Sequence, residues 1–403
     1  MIIAIYGIPR CGKDTFIKKV CSLNKRFYHL QGSKTLNELS KVKFDCSFKE
    51  LDSKQQNEIR VDFTKYAKTL EKDYSCIIVD GHYSFPLNGA YKSVFTESDL
   101  SLYDSFFYLK VAGEEILRNF NSGDKKSFSE ILTKEEKCEE WIEFEIQNMK
   151  SIVEEKDKDF IVINFDEESI QFVSNYKKTS KEIAKEIALE IKHIADGKQI
   201  IITDLDKTVS INDLTNDFIE SSLLDSSYPK KVFKGDYYSI YQFYKFHNFL
   251  LSSINYKKSI KYALDRLIIN EELIKDLFAL KKENNIFAIT TGMVDAWNDK
   301  NREMKLFSKI YGFDKDEERI ISPLVKKLVV KNLIKDFYVL AIGDSIIDLG
   351  MILEASKGYL ISMLKLDKRI VLYHDRKALK KEIYQPSYST YKYDFVKEEE
   401  LKW

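Results

Sequence analysis

Two stretches of this chain share one grammar: a short unbroken apolar run, a turn rich in Gly or Asp, then the opening of a helix. The first is IIAIY, from Ile2, followed by GIPRCGKDT; the second is QIIIT, from Gln199, followed by DLDKT. An apolar run without polar alternation reads as a strand buried on both faces, which is the signature of a parallel sheet covered by helices. Further runs of this kind lie at 76–79, 106–110, 160–164, 286–290 and 338–342, with a weaker one near 359–362. Helical periodicity separates them. The pattern predicts an α/β chain made of two doubly wound, Rossmann-like parallel-sheet domains.

The joint between them is set by a helix predicted from Ser180 to Ala195, with Ile183, Ala184, Ile187, Ala188, Ile191 and Ile194 on one stripe, and by the turn signal Asp196-Gly197. The expected domains are therefore 1–196 and 197–403, with a helical insertion at about 209–284 in the second. A chain of 403 residues has room for both. Only 14 Gly and 5 Pro are present, which excludes collagen-like and linker-rich classes. Lys+Arg and Asp+Glu are both 64, so no global basic field favours a polyanion, although the first fifty residues are locally basic. The five cysteines form no C-x-x-C pair and their number is odd, which reads as a reduced, cytoplasmic protein with neither disulfides nor a zinc site. The start lacks the basic region of a secretion signal, and no apolar stretch approaches the ~18 residues of a membrane span.

Gly7-Ile8-Pro9-Arg10-Cys11-Gly12-Lys13 fits G-x-x-x-x-G-K between a predicted strand and a predicted helix. Gly7 and Gly12 let the backbone curl so that its N–H groups face an anion, and Lys13 supplies a mobile charge for the β/γ-phosphates of ATP. The next residue is usually a Ser or Thr whose hydroxyl touches Mg²⁺; here Asp14 and then Thr15 follow, and either would support the metal. Asp80, at the end of the run from Cys76, would hold the same Mg²⁺ as a Walker-B carboxylate does. The GKDT ending resembles that of phage-type deoxynucleoside monophosphate kinases, and the Asp80-Gly81 turn resembles adenylate-kinase-like P-loop kinases. That resemblance covers residues 1–195 or so. It implies ATP-dependent phosphorylation of a nucleoside, nucleotide or related hydroxyl acceptor. It places Arg118 on the transferring phosphoryl group, with Lys125 and Lys126 in a lid, and Arg60 and His82 toward the acceptor. A guanine-reading N-K-x-D motif is absent, since Asn24-Lys25-Arg26-Phe27 lacks the Asp.

In the second half, alternate residues of an extended chain point one way, so Asp204 and Asp206 face one site. The D-x-D-x-T run from Asp204 to Thr208 resembles the first motif of the haloacid dehalogenase superfamily, and that resemblance implies that Asp204 attacks phosphorus and that Asp206 protonates the leaving alkoxide and then activates water. Three more motifs follow in order: Ile286–Gly292, a strand that presents Thr290 to a phosphoryl oxygen; Ser322–Lys327, a helix start that supplies Lys326 (preferred) or Lys327; and Gly343-Asp344-Ser345-Ile346-Ile347-Asp348. Together they resemble the haloacid dehalogenase (HAD) superfamily over about 199–365. The resemblance implies a Mg²⁺ site of Asp204, the Asp206 carbonyl, Asp344 and Asp348, and a cap between the first two motifs that screens the substrate.

The expectation is a bifunctional enzyme using ATP and Mg²⁺, a kinase joined to a phosphomonoesterase, with a nucleotide and a phosphorylatable small molecule as its partners. Two alternatives stay open. The domain order also resembles phage-type polynucleotide kinase-phosphatase, which would make nucleic-acid ends the substrate. The P-loop would otherwise be a nucleotide sensor that regulates the phosphatase. The tail at 367–403 carries a basic stretch with no assigned role.

Overall fold

The computed structural model describes residues 1–122, 128–195, 197, 199–235, 238–281, 284–313 and 319–361, together with the backbone of two later strands, Ile383–Tyr388 and Tyr393–Val396. The chain divides into two compact units, Met1–Thr179 and Ser180–Trp403. Each is a mixed α/β structure built on a parallel sheet.

In the first unit the strands are β1 (Ile2–Tyr6), β2 (Phe27–Leu30), β3 (Cys76–Asp80), a small hairpin of β4 (Ser84–Leu87) and β5 (Ala90–Ser93), β6 (Ser105–Lys110) and β7 (Asp159–Asn164). The main sheet has the order β2-β3-β1-β6-β7, with every pairing parallel. All of β1 is buried, as its unbroken apolar run requires. The connection leaving β1 runs toward β2, and the one leaving β6 runs toward β7. Their carboxyl ends therefore part at a topological switch point, where open α/β sheets bind ligands.

The second unit has β8 (Gln199–Thr203), β9 (Asn284–Met293), β10 (Lys309–Phe313), β11 (Val339–Gly343), β12 (Lys357–Leu360), β13 (Ile383–Tyr388) and β14 (Tyr393–Val396). Their order is β10-β9-β8-β11-β12-β13-β14, parallel as far as β13, with β14 antiparallel to it. Here the switch point lies between β8 and β11. The insertion after β8 is helical, with helices at Leu214–Ser221, Tyr228–Val232, Ile240–Leu251, Tyr256–Asp265 and Glu271–Lys281. Phe218, Phe246, Leu250, Ile260 and Leu277 of these helices share one apolar cluster with Ile201, Ile286 and Ala288 of the sheet. The insertion is thus packed onto the domain as part of its core.

The domain boundary is corrected. The helix Ser180–Ile194 belongs to the second unit, not to the end of a first domain 1–196. Its stripe of Ile183, Ile187 and Ile191 is buried, and it packs along the helix Pro323–Leu333. Glu190 receives Lys309 Nζ at 2.6 Å and an Arg319 guanidinium N–H at 2.5 Å. Sequence periodicity reveals a buried stripe but not which sheet it covers, and the turn at Gly197 (φ 65°) was the more visible break.

Candidate active sites

The second unit's site gathers at the ends of β8 and β11. After β8 the Asp204 N–H donates to the Ile342 carbonyl (2.8 Å), and Leu205 turns into the core, fully buried. This leaves Asp204 and Asp206 on the other side of the chain. Lys326 arrives from the helix Pro323–Leu333, whose first turn is fixed by Pro323 and by Ser322 Oγ accepting from the Val325 N–H (3.3 Å). Its ammonium is 1% exposed and lies 2.6 Å from both Asp204 Oδ1 and Asp348 Oδ1. Lys327 points elsewhere, to Glu354 at 3.7 Å. Asp348 is held by Ser345, whose N–H and hydroxyl donate to Oδ2 at 3.2 and 2.8 Å. Thr208 Oγ1 donates to Asp344 Oδ1 at 3.4 Å.

Carboxylate oxygens of Asp204, Asp344 and Asp348 lie within 4.8 Å of one another. Three acids facing one ammonium in a buried place leave negative charge uncompensated, and hard oxygen donors suit Mg²⁺. The titrations express the same crowding. Burial, with Asp348 beside it, pushes Asp204 up to about 7 against the pull of Lys326. Burial, Asp348 and Asp204 also raise Asp344. Burial pushes Lys326 down, but the two carboxylates outweigh it and hold the ammonium above its ordinary value.

Asp206 sits differently. It accepts from Trp297 Nε1 at 3.1 Å and Thr215 Oγ1 at 3.3 Å, with no ammonium bonded to it among the described residues. Burial, with Asp213 and Asp204 nearby, pushes it up to about 8. A carboxyl that keeps its proton at neutral pH is suited to general acid work, beside a neighbour whose own upward shift is opposed by a lysine. Thr290 is buried, and its Oγ1 accepts from the Gly292 N–H at 3.0 Å. A Cβ on Gly292 would lie 3.0 Å from Asp206 Oδ2 and 3.3 Å from Thr290 Oγ1, so only Gly leaves the site open there. The sequence reading missed Trp297 and Thr215, whose roles come from packing rather than from any motif. It also missed His247, a buried imidazole of the helix Ile240–Leu251 whose Nε2–H donates to the Thr291 carbonyl at 3.1 Å. Burial lowers that imidazole to about 4, so it is neutral, and it pins the insertion to the strand end that carries Thr290.

In the first unit, the loop 7–12 joins β1 to the helix Lys13–Leu23. Gly12 caps this helix at φ 86°, and a Cβ there would press on the Phe165 ring at 3.1 Å. Lys13 is 7% exposed and folds back, with Nζ 2.6 Å from the Gly7 carbonyl and 3.3 Å from that of Ile8. Among the described residues no carboxylate pairs with it, so a buried positive charge faces two carbonyls and, at 3.8 Å, Cys11 Sγ at a helix N-terminus. Asp80 Oδ1 accepts from the Gly32 N–H (3.0 Å) and lies 3.2 Å from His29 Nε2. Burial pushes Asp80 up, but His29, the Gly32 N–H and the Lys13 charge together hold it below the ordinary carboxylate range. Asp14 joins Asp80 and His29 in a cluster whose ligand atoms lie within 4.8 Å of one another. Carboxylate oxygens there fit a divalent cation. Thr15, the next residue, is exposed.

A cavity of about 590 Å³ opens beside Asp80, lined among others by Tyr6, Phe48, Arg60, His82 and Phe85. Arg60 is there, held at 3.4 Å by Asp99 Oδ2 and at 3.4 Å by the Val94 carbonyl. Burial and the Lys13 charge push His82 down to about 3, so it is a neutral ring, with Phe85 5.1 Å away. Arg118 lies at the surface, exposed on the helix Gly113–Asn121, and its neighbour Asn119 is the residue that meets the loop, with Nδ2 donating to the Arg10 carbonyl at 3.0 Å. The helical repeat turns adjacent positions by ~100°, which separates the two. Lys125, Lys126 and the basic tail stretch lie outside the described residues. Glu145 was not foreseen: fully buried, it accepts from the Ser84 N–H (2.9 Å), the Tyr108 hydroxyl (2.8 Å) and Trp141 Nε1 (3.2 Å), and so anchors the segment that follows Asp80.

No family model matches the chain, and no curated protein matches it. Among solved structures, a substrate-bound phosphoserine phosphatase is 17% identical, with a TM-score of 0.33 over 44% of this chain and 98% of that one. A HAD family hydrolase from Salmonella enterica serovar Typhi is 15% identical, with a TM-score of 0.33 over 45% of this chain and 71% of that one. A chain of the Pnkp1/Rnl/Hen1 RNA repair complex is 13% identical, with a TM-score of 0.24 over 87% of this chain and 91% of that one. Likenesses this faint carry no chemistry, which comes here from the side chains. No helix among the described residues is long and apolar enough to cross a membrane.

Proposed function

We propose that the second unit is a phosphomonoesterase of the HAD type and the first an ATP-dependent kinase, joined in one bifunctional chain. The observation that carries the hydrolase is the pairing of Asp204, bonded to Lys326, with Asp206, bonded only to neutral donors and shifted to about 8. Asp204 attacks phosphorus, the P–O ester bond breaks, and the Asp206 proton passes to the departing alkoxide. Asp206, now a carboxylate, takes a proton from water as its oxygen attacks the aspartyl-phosphate. Inorganic phosphate leaves, and Asp204 is restored. Lys326 and the Thr290 hydroxyl hold phosphoryl oxygens. Mg²⁺ held by Asp204, Asp344 and Asp348 would offset the charge between nucleophile and phosphate.

The kinase reading rests on the loop 7–12 with its buried, carboxylate-free Lys13 and on the cavity that opens beside Asp80. In that reading ATP phosphates meet the loop amides and Lys13. The acceptor hydroxyl enters from the cavity, whose volume favours a small nucleoside-like molecule over a polymer end. The test uses wild type, Lys13→Ala and Asp204→Asn, each given labelled ATP with nucleosides, monophosphates and 5′-hydroxyl oligonucleotides, and separately a phosphomonoester panel. Lys13→Ala should abolish acceptor labelling alone, and Asp204→Asn phosphomonoester hydrolysis alone. Labelling of oligonucleotides only, falling steeply with salt between about 50 and 200 mM, would replace the small acceptor by a nucleic-acid end. No labelled acceptor at all, with hydrolysis altered in Lys13→Ala, would make the first unit a sensor.

A further inference from the structure

We propose that the first unit holds its divalent cation in a mixed carboxylate–imidazole site, Asp14–His29–Asp80, and that this site takes a first-row transition-metal ion such as Mn²⁺ in preference to Mg²⁺. The inference rests on the nucleotide-binding reading of that unit and goes beyond it. The residue after the loop lysine is here a carboxylate rather than a hydroxyl, which adds a negative charge to the donor set. The third donor is an imidazole, contributed by the short strand β2.

Parallel pairing of β2 with β3, Leu30 opposite Val79, brings the two strand ends together, and His29 Nε2 stands 3.2 Å from Asp80 Oδ1. Cis ligands of an octahedral ion are about 3 Å apart, so little movement separates this contact from shared coordination. Among the described residues Asp80 Oδ2 accepts no hydrogen bond, which leaves it to a cation. Asp14 is exposed in the first turn of the helix Lys13–Leu23. The buried Lys13 ammonium, without an anionic partner among the described residues, is close enough to act on the Asp80 carboxylate and is suited to an anion that would accompany the cation. Mg²⁺ keeps oxygen ligands and sheds water reluctantly, whereas imidazole nitrogen suits Fe²⁺, Ni²⁺ and Zn²⁺, and Mn²⁺, the carboxylate-binding member of the same row, can take one imidazole beside its oxygens. Ligation needs the His29 proton on Nδ1, so that Nε2 offers its lone pair.

Pulsed EPR on the nucleotide-free full chain with Mn²⁺ alone tests this. The second unit's cluster is all oxygen, so coupling of Mn²⁺ to a nitrogen reports the first site only. Wild type and Asp204→Asn should show ¹⁴N coupling, and His29→Gln should lose it. Asp14→Asn, an exposed position that leaves the sheet untouched, should keep the coupling while needing about tenfold more Mn²⁺ to saturate it. Magnesium at equal concentration should not displace the nitrogen-coupled ion. Absent coupling in wild type, coupling that survives His29→Gln, or displacement by equimolar Mg²⁺ would each overturn the proposal. Binding of a fluorescent ATP analogue, measured separately without metal, reads the nucleotide site itself, so its failure and that of the metal site are told apart.

Discussion

At the residue scale the second unit separates two aspartates by their partners. Asp204 has a lysine and neighbouring acids, and Asp206 has a tryptophan and a threonine as donors, with Asp213 and Asp204 nearby. Replacing Asp206 with Asn keeps the hydrogen-bonding shape and removes the proton. With alkyl phosphates the rate should fall by about 10²–10⁴. With p-nitrophenyl phosphate, whose leaving group needs no proton, the first step should be largely spared. A burst of nitrophenol followed by accumulation of labelled aspartyl-phosphate is the expected stopped-flow and gel result. The raised titrations of Asp204, Asp206 and Asp344 also fix a sign. In the metal-free fold these carboxyls hold protons more tightly than in the unfolded chain. Their stabilising contribution is therefore complete below about pH 4 and is lost as the pH rises toward 7–8. Thermal melts in EDTA should move down between pH 5 and 8, while melts in Mg²⁺ should move less, so the gap between them widens with pH. A gap independent of pH would contradict the assigned cluster.

At the scale of elements, the sequence was most legible where a long apolar run met a motif. β1, β3, β6, β8 and β11 are strands of the parallel sheets, and the turns after β1, β3, β8 and β11 carry the residues singled out for chemistry. β2 was missed because FYHL is four residues long with a histidine inside, too short for periodicity to speak. β10 was missed for a like reason: KIYGF carries a lysine and a glycine and ends in a register shift. Those omissions hid His29 and the strand that supplies Lys309. Lys326 illustrates what an element must do to place one atom. Its helix begins at a Ser322 cap followed by Pro323, and the ammonium reaches two carboxylates only if the first turn holds its phase. Ser322→Ala should cost about 1 kcal/mol of stability. It should lower kcat for phosphomonoesters more than it raises KM, as seen in steady-state kinetics at a temperature where the variant is fully folded.

At the scale of the molecule, the division at Thr179/Ser180 changes where a separable second unit begins. A fragment cut at the visible turn would begin near Gly197 and would strip the helix Ser180–Ile194 from the domain it covers. That exposes the faces on which Ile183, Ile187 and Ile191 rest, and burial of each such side chain is worth about 1.5–3 kcal/mol. It also leaves Lys309 and Arg319 without Glu190, a loss tempered by their partial exposure to water. The apolar loss alone is comparable with the whole stability of a domain, commonly about 5–15 kcal/mol. A fragment starting at Ser180 should therefore express as a soluble monomer or oligomer with cooperative melting and the phosphomonoesterase activity of the full chain. One starting at residue 197 should aggregate or melt at least several degrees lower. The helix packs against Pro323–Leu333, which positions Lys326, so the shorter fragment should lose activity before it loses secondary structure as temperature rises. Equal melting of the two fragments in circular dichroism, with equal activity, would return the boundary to the turn at Gly197.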